Sequence, residues 1–154
     1  MQLSRDGTLE KYGVRLLGSD LESIERAEDR ERFRQTLEEM GQLKLQLSQT
    51  TKELYAALAE AHRGKGDVLL FRESGDAGKL ACAVAETCGG KCAVFLPTES
   101  GFRCAVAEQD GDLQAFGKAL FAQLRGRGGG RGGLIQGSVT AAKSEIEAYF
   151  GRTL

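Results

Sequence analysis

Apolar positions along this chain follow two regimes, and the change falls near residue 63. From Ser19 to about Ala61 there is no proline and a single glycine, Gly41. Met40, Leu47, Leu54 and Ala61 recur every seven residues, with Leu37 and Leu58 on the adjoining row, which Lys44 and Thr51 interrupt. This is a narrow heptad-like seam on a charged helix, and Ser19-Asp-Leu-Glu22 has the capping-box spacing that would start it. Two arrangements satisfy the pattern. One is a single long helix whose seam meets a partner, which the charged flanks favour. The other is packing within the chain itself, either as one long helix on its own domain or as an antiparallel helical hairpin bent near Gly41.

His62-Arg-Gly-Lys-Gly66 breaks that helix as a hinge, and shorter periods follow. Asp67–Phe71 predicts a buried strand, and the alanine-rich stretch to Cys88 a helix capped by Ser74 or Asp76 and ended by Gly89-Gly90. Cys92–Leu96 predicts a second strand stopped by Pro97, and Phe102–Val106 a third in hairpin relation to it. Asp112–Leu124 places Leu113, Phe116, Leu120 and Leu124 on one helical face. A glycine-rich loop comes next, then a short strand at Leu134–Gln136 and a last helix from Thr140 to Phe150, stopped by Gly151. The order β-α-β-β-α-β-α predicts an α/β fold, a small mixed-sheet domain preceded by the long helix or helical hairpin. The expected division is 1–18 as the tail of a preceding segment of a longer protein, 19–63 as the helical segment, and 64–154 as the α/β domain.

The loop concentrates the chemistry. Arg125-Gly-Arg-Gly-Gly-Gly-Arg-Gly-Gly-Leu-Ile-Gln-Gly-Ser138 holds three arginines among its glycines. Such a loop suits phosphate: glycines bring backbone N–H groups to one side, and arginines add charge and bidentate hydrogen bonds. Net charge changes the picture only locally. Residues 20–62 carry ten acidic and six basic side chains, whereas residues 111–154 carry three acidic and six basic ones. The positive end therefore coincides with the loop, as at a nucleic-acid site. The candidate contacts are Arg127 and Arg131 on phosphates, Arg125 and Lys118 lending field, Gly128, Gly129 and Gly130 allowing close approach, and Gln136-Gly137 orienting the loop or reaching a base or ribose. A plain linker is the main rival, and a site for a small phosphorylated ligand is a third reading.

Catalytic and metal constellations are not seen. His62 is the single histidine, Cys82, Cys88, Cys92 and Cys104 form no Cys-x-x-Cys pair, and the loop lacks the Gly-Lys-Ser/Thr ending of a nucleotide P-loop. Cys82, Cys92 and Cys104 sit among apolar neighbours and predict buried thiols; Cys88, beside two glycines, is the candidate for exposure. The 154 residues, 41% apolar and 28% charged, include no run near the ~20 apolar residues of a membrane span. The expectation is a cytoplasmic binding module with no cofactor, not an enzyme.

Asp76-Ala-Gly-Lys-Leu80, the turn Asp110-Gly-Asp-Leu113, and Gly126-Arg-Gly-Gly-Gly-Arg131 through Gln136-Gly137 together resemble the DHHA1 domain. That domain ends alanyl-tRNA synthetases and related alanyl-tRNA editing proteins, and the resemblance covers about residues 65–151. It implies a tRNA-binding, dimer-forming accessory domain; the long helix itself is expected to make a homodimer or to dock on a catalytic partner. The alternative is a structural module with no RNA contact. Gly132-Gly133 stands where the family has Pro-Asp/Glu, which predicts a looser loop. Arg131 replaces the histidine of the phosphoesterase branch, so nuclease activity is not implied.

Overall fold

The computed structural model describes residues 11–13, 22–23 and 29–153. The expected helix start at Ser19 and most of the segment 1–18 lie outside them. The chain divides into two compact units, Met1–Thr50 and Thr51–Leu154.

Helix α1, Arg30–Ala61, is unbroken through Gly41, so no hairpin bend occurs there. The Asp29 carboxylate accepts from the amides of Glu31 and Arg32 and supplies its cap. Arg34 bridges Glu31 and Glu38 on the helix surface. The seam residues Leu37, Met40, Leu47 and Leu54 stand 44–69% exposed. Leu58 departs from the expected seam, because it packs with Tyr55 and Ala59 into the core of the second unit.

That unit holds a five-stranded mixed sheet, order β1-β2-β3-β5-β4. The strands are β1 Gly66–Phe71, β2 Gly89–Thr98, β3 Gly101–Ala107, β4 Gly126–Arg131 and β5 Leu134–Val139. Helix α2, Ala77–Cys88, carries the parallel crossover from β1 to β2; α3 is Gln114–Gln123 and α4 is Lys143–Thr153. The remaining pairings are antiparallel. The α/β class is as expected, with one more strand than the pattern suggested.

Alternation along β2 explains the layering. Val94 and Leu96 join the core under α2 and the end of α1, while Ala93 and Phe95 join a second core with α3 and α4. A strand buried on both faces needs a continuous apolar run, which Cys92–Leu96 supplies. Phe95 and Phe150, both buried, meet edge to face at 5.8 Å in the second core. The strand continues through Pro97, which pairs with Phe102. The last β1 partner is Phe95, so at Pro97 β2 has one neighbour left and the missing N–H is tolerated.

Asp76 is the cap of α2, accepting from the Lys79 amide at 3.0 Å, and Gly89 ends the helix in the left-handed conformation. Helix α4 runs past Gly151 rather than stopping there. The thiol expectation reverses in part: Cys88 is fully buried, at the point where α2 turns into β2, and Cys82 is the half-buried one. Burial pushes the thiols of Cys92 and Cys104 up to about 12 and about 11, so they stay protonated and inert at neutral pH.

Candidate nucleic-acid interface

The glycine stretch is not a concave loop. Gly126–Arg131 forms edge strand β4, paired residue for residue with β5 from Gly126↔Val139 to Arg131↔Leu134. Alternate amides are spent in the ladder with β5 and the others point outward along the sheet edge, so they do not converge on one point as an anion nest would require. A two-residue connection, Gly132-Gly133, closes the hairpin, with Gly132 at φ +59°.

That tip is held and not loose. The amides of Glu108 and Leu113 donate to the carbonyls of Gly133 and Gly132 at 2.9 and 3.0 Å. A side chain at Gly133 would run into the Glu108 carbonyl. The Asp110–Leu113 turn and the glycine motif, far apart in sequence, thus meet at one clamp.

Successive residues of a strand point to opposite faces. A Cβ at Gly126, Gly128 or Gly137 would press on the Phe121 ring, at 2.5 Å from its Cζ in the case of Gly128. Gly117 of α3 lies likewise against Ile135. These glycines let α3 lie directly on the hairpin, so the close approach at Gly128 is intramolecular. Gly129 is different: a Cβ there meets nothing within 4 Å.

Arg127, Gly129 and Arg131 lie on the other face. Register places Arg103, Ser138 and Arg127 in one cross-strand row, Ala105, Gln136 and Gly129 in the next, and Ala107, Leu134 and Arg131 in a third. Arg103, Arg127, Arg131, Gln136 and Ser138 are all exposed. Their side chains make no ion pair or hydrogen bond among the described residues, so each charge and amide is available to a ligand. Rows two residues apart are separated by about 7 Å along the strand, which spreads Arg127 and Arg131 over roughly 13 Å.

Arg125 stands apart. It takes a positive φ of 51° at the entrance to β4, and its guanidinium is bound to Glu145 at 2.7 and 2.9 Å. Glu145 also accepts from the Ala142 amide, and the hydrogen bond from Arg125 holds its carboxyl below the usual carboxylate range. The Arg125 charge is therefore largely neutralised, and its work is to fix α4 to the hairpin. Lys118 lies on α3, in a groove of about 520 Å³ with Phe121, Arg127 and Gly128–Gly130.

Gln136 and Gly137 line a separate cavity of about 580 Å³ with Gly75–Gly78 and Arg103–Ala105. A Cβ at Gly78 would strike the Gln136 amide nitrogen, so this glycine gives the carboxamide its place against α2. The two motifs Asp76-Ala-Gly78 and Gln136-Gly137 come together here. Arg103 was missed by sequence reasoning. Its signal was present: it is the one charged residue within Phe102–Val106, and a charge in an apolar strand needs solvent or a partner.

No family model matches the chain. It is 41% identical over 86 residues to the carbamoyl phosphate synthase large chain of Rubrobacter xylanophilus, covering 56% of this chain and 8% of that protein. The same enzyme chain of Corynebacterium glutamicum is 51% identical over 41 residues, 27% of this chain and 4% of that one. The chain thus spans less than a tenth of the length of the curated relatives it matches. Among solved structures, the C-Ala domain of Aquifex aeolicus alanyl-tRNA synthetase superposes with a TM-score of 0.40 at 12% identity, over 55% of this chain and 85% of that one. A superposition that loose carries no functional weight. Among the described residues no helix is long and apolar enough to cross a membrane, and no group of three or more potential ligands is placed to hold a metal.

Proposed function

We propose that the second unit is an RNA-binding accessory module, acting on tRNA in the cytoplasm and holding phosphates on the open face of the β4–β5 hairpin. The supporting observation is the group of Arg103, Arg127 and Arg131, exposed and without ion pairs among the described residues, on a face that also carries Gln136. Arg125, Arg34 and Arg63 hold carboxylates. Among the described residues Arg103, Arg127 and Arg131 do not, and they share one face. The motif resemblance to the DHHA1 domain supports tRNA as the nucleic acid and the role of an assistant to a catalytic domain elsewhere. Arg127→Gln with Arg131→Gln should weaken RNA binding and reduce the log–log salt slope by about two, one unit per phosphate contact. Unchanged affinity would remove the proposal.

The homodimer is carried by α1, whose exposed apolar seam from Leu37 to Leu54 has the spacing of a coiled coil. Met40→Lys with Leu47→Lys should convert a dimer to a monomer in sedimentation. An oligomeric state that does not change excludes the seam as its interface.

A further inference from the structure

We propose that the cavity between the start of α2 and the β3–β5 pair receives one unpaired nucleotide of the bound RNA. The preferred ligand is then RNA with a bulged or looped-out residue, not continuous duplex. This rests on the RNA reading above and specifies what the site selects.

The cavity's volume, about 580 Å³, lies in the range that takes a small organic group. Three side chains decide which one. Gln136 lines it with a carboxamide that makes no hydrogen bond among the described residues. An amide both donates and accepts, the combination needed to read the edge of a base. Arg103 contributes a planar guanidinium, paired with no carboxylate among the described residues, on which a base can stack. Asp76 supplies a carboxylate, which accepts from the Lys79 amide and lies 3.8 Å from Lys79 Nζ. A carboxylate in the wall opposes a phosphate inside the cavity and suits a ribose hydroxyl or a neutral base.

The phosphates belong outside it. Arg127 is two strands from Arg103 in the same cross-strand row, about 10 Å away, and Arg131 is further along β4. A backbone held on these arginines can therefore place one nucleoside over Gln136. Only an unstacked residue can do so, because a base that is stacked and paired within a duplex cannot leave the helix to enter a cavity, whereas a bulged or looped base can be splayed out.

The test is fluorescence anisotropy on the full chain with two RNAs of the same stem, one continuous and one with a single bulged nucleotide. The bulged RNA should bind about tenfold tighter, and Gln136→Ala or Arg103→Gln should each reduce that ratio towards one. Arg127→Gln with Arg131→Gln should weaken both RNAs and keep the ratio. Equal affinity for the two RNAs, or a ratio unmoved by Gln136→Ala, overturns the nucleotide pocket and leaves phosphate binding standing. Binding of neither RNA overturns the RNA reading itself.

Discussion

On the α3 side of the β4–β5 hairpin, Gly126, Gly128 and Gly137 lie against the ring of Phe121, and no larger residue fits. On the other side Arg127 and Arg131 are exposed, and a side chain at Gly129 would enter open space. One run of residues, Gly126-Arg-Gly-Gly-Gly-Arg131, therefore serves two purposes separated by the two-residue period of a strand. The even-numbered glycines form a packing surface and the odd-numbered positions form a display surface. Glycine here is mostly a matter of space for α3 and only at the Gly132 turn a matter of conformation.

The largest expected effect comes from violating the packed side. Gly128→Val places atoms against the Gln136 carbonyl, the Gly137 backbone and Phe121, none of which can retreat without moving a strand or α3. Such overpacking costs about 2 kcal/mol or more, and thermal unfolding should show a midpoint lower by on the order of 10 °C. Gly129→Ala, one residue along, should stay within about 0.5 kcal/mol of the parent. Equal destabilisation by the two would mean that the faces are not distinct.

A smaller effect separates Arg125 from the other arginines of the motif. Glu145→Gln should loosen the tie between α4 and the hairpin. Because the carboxyl of Glu145 is held below its ordinary value, its contribution is present above the unfolded-state value and is lost as pH falls through the folded one. The melting difference between the parent and Glu145→Gln should therefore be full near neutrality and shrink below about pH 4. A difference that persists into acid would assign the tie to something other than this ion pair.

Much of the architecture was legible in the chain. The heptad spacing gave α1, and the apolar runs at Val68–Phe71 and Cys92–Leu96 gave edge strand β1 and its inner neighbour β2, because strands with packed side chains on both faces cannot hide their composition. Strand β4 was not legible. Gly-Arg-Gly-Gly-Gly-Arg has neither β-branched nor aromatic residues, and its pairing comes from β5 beside it and Phe121 beneath it, both set by tertiary structure. The same cause hid the burial of Cys88: two following glycines suggest a surface turn, whereas here they lead straight into β2. The arginines were visible as a cluster, but which one is neutralised depended on Glu145, twenty residues away in sequence.

The most direct measurement is an RNA titration at two or more salt concentrations, comparing the parent chain, Gly129→Ala and the double variant Arg127→Gln with Arg131→Gln. If the odd-numbered face holds phosphates, the double variant binds more weakly with a salt slope lower by about two, and Gly129→Ala keeps the parent's slope. Identical affinity and slope in parent and double variant would show that the open face of the hairpin does not hold RNA.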